Sequence, residues 1–143
     1  MNLDNLENNI KLGQQIFEAV PEEIQPTWGG NLLKIFEDYL ENIPKEITEL
    51  AGIISDKNKW VNAHSQFSKI RKFSLNNRKY EPESYILLAE NVAKVTYNSS
   101  GLSAPFDHNS GWWIPLNAKR TADYFENEEL KAEVKRILTV NLK

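Results

Sequence analysis

Apolar residues recur along the chain at helical spacing, three and four positions apart, in nearly every segment that proline and glycine mark off. Leu3, Leu6, Ile10, Phe17 and Val20 predict a first helix ended by Pro21, since proline disfavours helical backbone in the residue before it. Residues 22–30 read as a loop. A second helix carries Leu32, Leu33, Phe36, Tyr39, Leu40 and Ile43 on one stripe, capped by Asn31 and broken at Pro44. Pro44 suits the first turn of a third helix through Ile47, Leu50, Ala51 and Ile54.

Ser55 or Asp56 can cap a fourth helix that places Trp60, Ala63, Phe67 and Ile70 on one side and frays near Leu75–Asn77. A fifth opens at Pro82 and is apolar around most of its circumference, from Tyr85 through Leu88 and Val92 to Val95, the pattern of a central buried helix. A strand is the competing reading of Ile86–Leu88 and Val92–Tyr97; Glu90, Asn91 and the early proline favour helix. Residues 98–117 read as one long loop with Phe106, Trp112, Trp113 and Ile114. Loops beyond about 12 to 15 residues are uncommon in compact domains and tend to be functional. Two short helices close the chain, Ala118–Phe125 and one capped by Asn127. The expectation is an all-α, single-domain bundle of six to seven helices spanning residues 1–143, without internal repeats.

Composition narrows the chemistry. Across 143 residues, 41% are hydrophobic and none is cysteine, which removes disulfides, thiolate metal sites and cysteine nucleophiles. The first ten residues lack a signal peptide's basic start and apolar run, and no stretch approaches the roughly 20 apolar residues of a bilayer span. The chain reads as cytoplasmic, with no membrane partner.

A net charge of −3 conceals strong segregation. Residues 1–56 hold 11 acids and 3 bases, residues 57–79 hold 7 bases and no acid, and residues 80–143 hold 9 acids and 7 bases. Glu37, Asp38, Glu41, Glu46 and Glu49 lie off the apolar stripes of the second and third helices. Glu37 and Glu41 stand four apart, where like charges cost a few tenths of a kcal/mol, so this cluster does not hold the helix together. Either the fold places the basic segment opposite these acids and neutralises both, or the acids form a recognition surface for an oppositely charged partner.

The basic segment offers a nucleic-acid alternative. Lys69, Arg71, Lys72, Arg78 and Lys79 interleave with Phe67, Phe73 and Tyr80, the mix of cations and rings that holds single strands. Against it, a pI near 5.5 denies the domain an overall basic field, and Trp60 and Phe67 fall at core spacing.

Catalytic groups are few. His64 sits near the apolar edge of the fourth helix, the place of a packing histidine. Asp107, His108, Asn109 and Ser110 gather a carboxylate, an imidazole and a hydroxyl, but a working relay needs side chains converging from separated positions, and the string is also ordinary turn chemistry. A small ribonuclease using His64 and His108 with a lysine is the enzymatic alternative. Hydrolase-elbow, phosphate-loop, dinucleotide and zinc-protease motifs are missing from the sequence, so no cofactor is implied. Carboxylates such as Glu37, Asp38 and Glu41, without histidines, would hold magnesium only weakly, and no metal site is predicted. Trp112 and Trp113 are consecutive, so on extended backbone their rings point to opposite sides. Either both are packed, or one anchors the loop while the other faces outward as a binding ring.

In size, acidity and lack of catalytic motifs the whole chain resembles the small cytoplasmic immunity proteins with which bacteria neutralise a cognate toxin, including those of contact-dependent inhibition. The resemblance implies a non-catalytic protein that covers the active site of a nuclease, commonly basic because it grips phosphates. The contacts would come from Glu37, Asp38, Glu41, Glu46 and Glu49, with Asp107 and an outward-facing Trp112 or Trp113 as a second anchor.

Overall fold

The computed structural model describes residues 2–102 and 106–142. Among them are seven α-helices and no strand: α1 (Ile10–Glu18), α2 (Gln25–Lys34), α3 (Lys45–Ile54), α4 (Ala63–Asn76), α5 (Glu83–Asn98), α6 (Ile114–Phe125) and α7 (Glu128–Thr139). Short 3-10 turns, Leu3–Glu7, Glu22–Ile24, Glu37–Tyr39, Lys57–Asn62 and His108–Trp113, join them. None of these helices is long and apolar enough to cross a membrane.

The all-round apolar segment takes the position its pattern predicts. Helix α5 packs against α2, α3, α4, α6 and the turn His108–Trp113, and its Tyr85, Ile86, Leu88, Ala89, Val92, Ala93 and Val95 are all buried. Two indole N–H groups that burial would leave without water find main-chain acceptors. Trp28 Nε1 donates to the Ile137 carbonyl at 3.2 Å, and Trp60 Nε1 to the Ile54 carbonyl at 3.0 Å.

Several boundaries differ from the sequence expectation. The first helix is interrupted at Asn8 and Asn9, because the Asn9 side chain accepts from the Lys11 N–H at 3.0 Å and starts α1 afresh. Residues 25–30 are helix, not loop: α2 starts six residues before Asn31, with Pro26 in its first turn. Gly29 is inside that helix because α2 crosses α5 closely, and a Cβ there would lie 2.9 Å from Val92 Cγ2. Helix α2 ends at Lys34, and Pro44 is the N-cap of α3 rather than part of its first turn. The stretch 98–117 is irregular only in its first part, since residues 108–117 form the turn His108–Trp113 and the start of α6. Residues 103–105 of that stretch lie outside the described residues. Asn127 caps α7 where expected, accepting from the Leu130 N–H at 3.0 Å, whereas Asp56, accepting from the Asn58 N–H at 3.0 Å, caps the 3-10 turn Lys57–Asn62, and α4 starts only at Ala63, without a side-chain cap.

Contact between α1 and the turn before α6 depends on two missing side chains. A Cβ on Gly13 would collide with the Trp112 carbonyl oxygen, and one on Gly111 with the Phe17 ring. Charge ties the N-terminal turn to α6. Lys119, only 9% exposed, reaches Asp123 at 2.8 Å and Glu7 at 3.4 Å, while Arg120 Nη2 meets Glu7 at 2.8 Å. Burial pulls the Lys119 ammonium down, but hydrogen bonds and charge from Asp123 and Glu7 outweigh it and hold it above its ordinary value. The Arg120 hydrogen bonds, helped by the charges of Arg120 and Lys119, keep the Glu7 carboxyl below the ordinary 4.5 against the opposing effect of burial.

Two outcomes follow. Gly13→Ala and Gly111→Ala should each lose about 2 kcal/mol in chemical unfolding through overpacking, whereas Gly52→Ala, with nothing within 4 Å of its Cβ, should gain up to about 1 kcal/mol from helix propensity. Because the folded pKa of Glu7 is depressed, its contribution is present above the ordinary carboxyl value and is lost as pH falls through the folded one. Glu7→Gln should therefore cost about 1 kcal/mol at neutral pH, the upper end for a partly exposed pair. Once the pH has fallen below the folded pKa of Glu7, the two proteins should unfold nearly alike.

Candidate functional site

The acids predicted to bind a partner divide into two groups. Glu37, Asp38 and Glu41 are exposed and lie on the 3-10 turn Glu37–Tyr39 and the segment after it, not on the face of a continuing helix. The chain leaves its helical path here because α2 must reverse toward α3 while Phe36 stays inside. Phe36 is fully buried, edge-on to Tyr85 with ring centroids 6.1 Å apart and stacked on Phe125 at 6.4 Å. That anchor leaves Tyr39 also against Phe125, at 5.7 Å and 37% exposed.

Tyr124, 49% exposed, packs edge-on to Phe125 at 5.1 Å. Its hydroxyl donates to Glu81 Oε2 at 3.0 Å. That bond, with the nearby Glu41 charge acting in the same direction, raises the Tyr124 phenol above its ordinary range. Glu126, two residues after Tyr124, adopts left-handed backbone at φ 51°, a conformation costing a non-glycine residue roughly 1–2 kcal/mol. The result is a face where two open tyrosine rings sit among carboxylates. Among the described residues, Glu37, Asp38 and Glu41 enter no ion pair. Tyr39, Glu81 and Tyr124 were not among the residues singled out from the sequence. Tyr39 falls on the apolar stripe of the expected second helix, and the approach of Glu81 to Tyr124 is tertiary.

Glu46 and Glu49 are placed differently. They share a groove between α3 and α4 with Lys69 and Lys72, and Glu46 is half-buried, its carbonyl accepting from Gln66 Nε2 at 2.7 Å. Here the basic segment does face the acidic one, although no ion pair closes within the groove among the described residues.

The remaining expected contacts belong to the far end of α6. Asp107 is exposed at the N-cap of the turn His108–Trp113; Trp112 is half-buried, and Trp113 is 44% exposed. One ring is thus held inward and the other left open. Trp113 precedes Tyr124 by eleven residues, about 16 Å of helix rise, so the two open faces are separate surfaces.

In the basic segment Lys69, Arg71, Lys72, Arg78 and Lys79 are all exposed, but the rings between them are engaged. Trp60 is buried, Phe67 lies under Lys94 Nζ at 4.9 Å and packs on Phe106, and Phe73 meets Tyr80 at 5.7 Å. Burial pushes the Tyr80 phenol up to about 12, and its hydroxyl donates to the Asn42 carbonyl at 2.7 Å. These rings do not form the open stacking platform that a single strand needs.

The histidines stand apart from one another's contacts. The His64 ring lies 5.1 Å from Tyr97 and 5.5 Å from Phe106, whereas His108 is edge-on to Trp112 at 5.7 Å. Ser110 spends its hydroxyl on the Asp107 carbonyl at 2.8 Å, as in a plain turn. Among the described residues no group of three or more histidines and carboxylates is gathered for a metal ion. Comparison with known proteins finds no matching family model, no matching curated protein and no matching solved structure.

Proposed function

We propose that this chain is a non-catalytic binding protein of the immunity type, which covers the basic active-site groove of a cognate nuclease toxin with the acidic face around Glu37, Asp38 and Glu41. The observation that carries the reading is that these three carboxylates, exposed beside the open rings of Tyr39 and Tyr124, have no ion-pair partner among the described residues. Clustered like charge gains nothing for the fold and accelerates encounter with a cationic surface. Tyrosine supplies large, semi-rigid contact area, the residue type around which interface energy concentrates. The face therefore joins a long-range steering component to a short-range anchoring one.

Glu46 and Glu49 contribute less in this proposal, because Lys69 and Lys72 share their groove. Asp107 and Trp113 would serve only a partner large enough to reach the other end of α6.

The test is binding kinetics against the proposed cognate toxin domain, to be sought in the reading frames adjacent to the gene. Reversing Glu37, Asp38 and Glu41 together to lysine should slow association by about tenfold or more and flatten its salt dependence. Tyr39→Ala with Tyr124→Ala should act on dissociation instead, weakening the complex by about 2 kcal/mol or more. Reversal of the exposed Glu128 and Glu129 on α7, which shifts net charge by four units against six, controls for most of the change in net charge. If the triple reversal binds with unchanged rate and affinity, the proposal fails.

A further inference from the structure

We propose that two copies of this chain associate as a closed two-fold dimer through the turns Glu37–Tyr39 and Asn77–Tyr80, the acids of each copy meeting Arg78 and Lys79 of the other. The two turns are neighbours on one surface. Tyr80 joins them, its hydroxyl donating to the carbonyl of Asn42, next to Glu41, at 2.7 Å. The Tyr80 N–H donates to the Asn77 carbonyl at 2.9 Å, which sets Arg78 and Lys79 at the corner of a tight turn. Both are exposed, as are Glu37, Asp38 and Glu41. None of these five residues enters an ion pair among the described residues.

The charges that flank the two turns keep the same division. Glu81 follows the basic turn but lies toward the acidic side, where it accepts from the Tyr124 hydroxyl at 3.0 Å. Lys45, beyond Pro44, lines the groove of Lys69 and Lys72. Glu83 shares a pocket wall with Arg78 and closes no ion pair with it. A surface of one sign repels its own copy. A surface on which both signs lie side by side, unpaired, is self-complementary: a two-fold axis through their border sets each acidic turn against the other copy's basic turn, and every contact occurs twice. The rings favour the same pairing, since Tyr39 and Tyr124 present open faces beside the acids, where an arriving guanidinium of Arg78 stacks. Because each copy engages both its turns with one neighbour, the assembly stops at two.

Sedimentation velocity of the full chain reads the assembly directly. Between about 10 μM and about 1 mM, the range of a weak interface, the wild type should pass from monomer to dimer at about 0.1 M salt. It should stay monomeric at about 1 M, where the screening length has fallen from roughly 10 Å to roughly 3 Å. The variants Glu37→Lys/Glu41→Lys and Arg78→Glu/Lys79→Glu should each be monomeric alone at the lower salt, and mixed they should form a dimer containing one of each. Glu128→Lys/Glu129→Lys, which shifts net charge by the same four units on another surface, should dimerise like the wild type. The proposal is overturned if the wild type stays monomeric throughout, grows past a dimer or ignores salt. It is equally overturned if either reversed variant dimerises alone, if their mixture stays monomeric, or if the Glu128 and Glu129 reversal abolishes the dimer. No toxin enters the experiment, so a missing dimer leaves the immunity reading standing, and a failed toxin assay leaves the dimer standing.

Discussion

Close packing around α5 is the constraint from which the rest of the structure follows. A helix with Tyr85, Leu88, Ala89, Val92 and Ala93 all buried gives water only the half-buried stripe through Leu87, Asn91 and Lys94, so other elements must enclose the rest of it. The near approach of α2 requires Gly29 opposite Val92, and enclosure by α6 and its preceding turn brings Gly111 onto Phe17. Each fully buried aliphatic side chain stabilises by about 1.5–3 kcal/mol, more than any of the surface pairs contributes. The chain can therefore dispose its surface charge with little regard for stability.

That freedom separates charges the fold uses from charges it does not. Lys119 is nearly buried and bonded to Asp123 and Glu7. Arg120 clamps the N-terminal turn through the same Glu7. These groups tie the N-terminal turn to α6. Glu37, Asp38 and Glu41 have no comparable structural duty, and they surround rings whose inner edges rest on Phe125 while their outer edges stay open. A surface of that kind is what the proposed interaction needs. Glu90 is the opposite case, a carboxylate taken into the interior with one oxygen provided for and the other not.

Sequence pattern revealed the helical class and the central place of α5, because apolar spacing reports burial directly. It also located the cap of α7 at Asn127, where a side-chain acceptor three residues ahead of a free N–H group is a local device. It misplaced the start of α2, since Gly29 and Gly30 carry the local signature of a loop while the reason for Gly29 is Val92, 63 positions further on. The same limit applies to the candidate site. Glu37, Asp38 and Glu41 were visible as charge, but their company of Tyr39, Tyr124 and Glu81 arises only when Phe36 and Phe125 stack in the folded chain. Spacing separated Trp112 from Trp113 only in principle. Which ring stays open is settled by the packing of the turn His108–Trp113 on α1 and α5.

The central claim is that the partner meets the face formed by the turn Glu37–Tyr39 and the end of α6. Backbone chemical-shift mapping of the labelled chain on addition of the proposed cognate toxin domain tests it most directly. The account predicts perturbations concentrated in residues 36–41, at Glu81 and in residues 124–126. Perturbations confined to the basic segment 57–79 or to the turn His108–Trp113, with the acidic face unchanged, would contradict it.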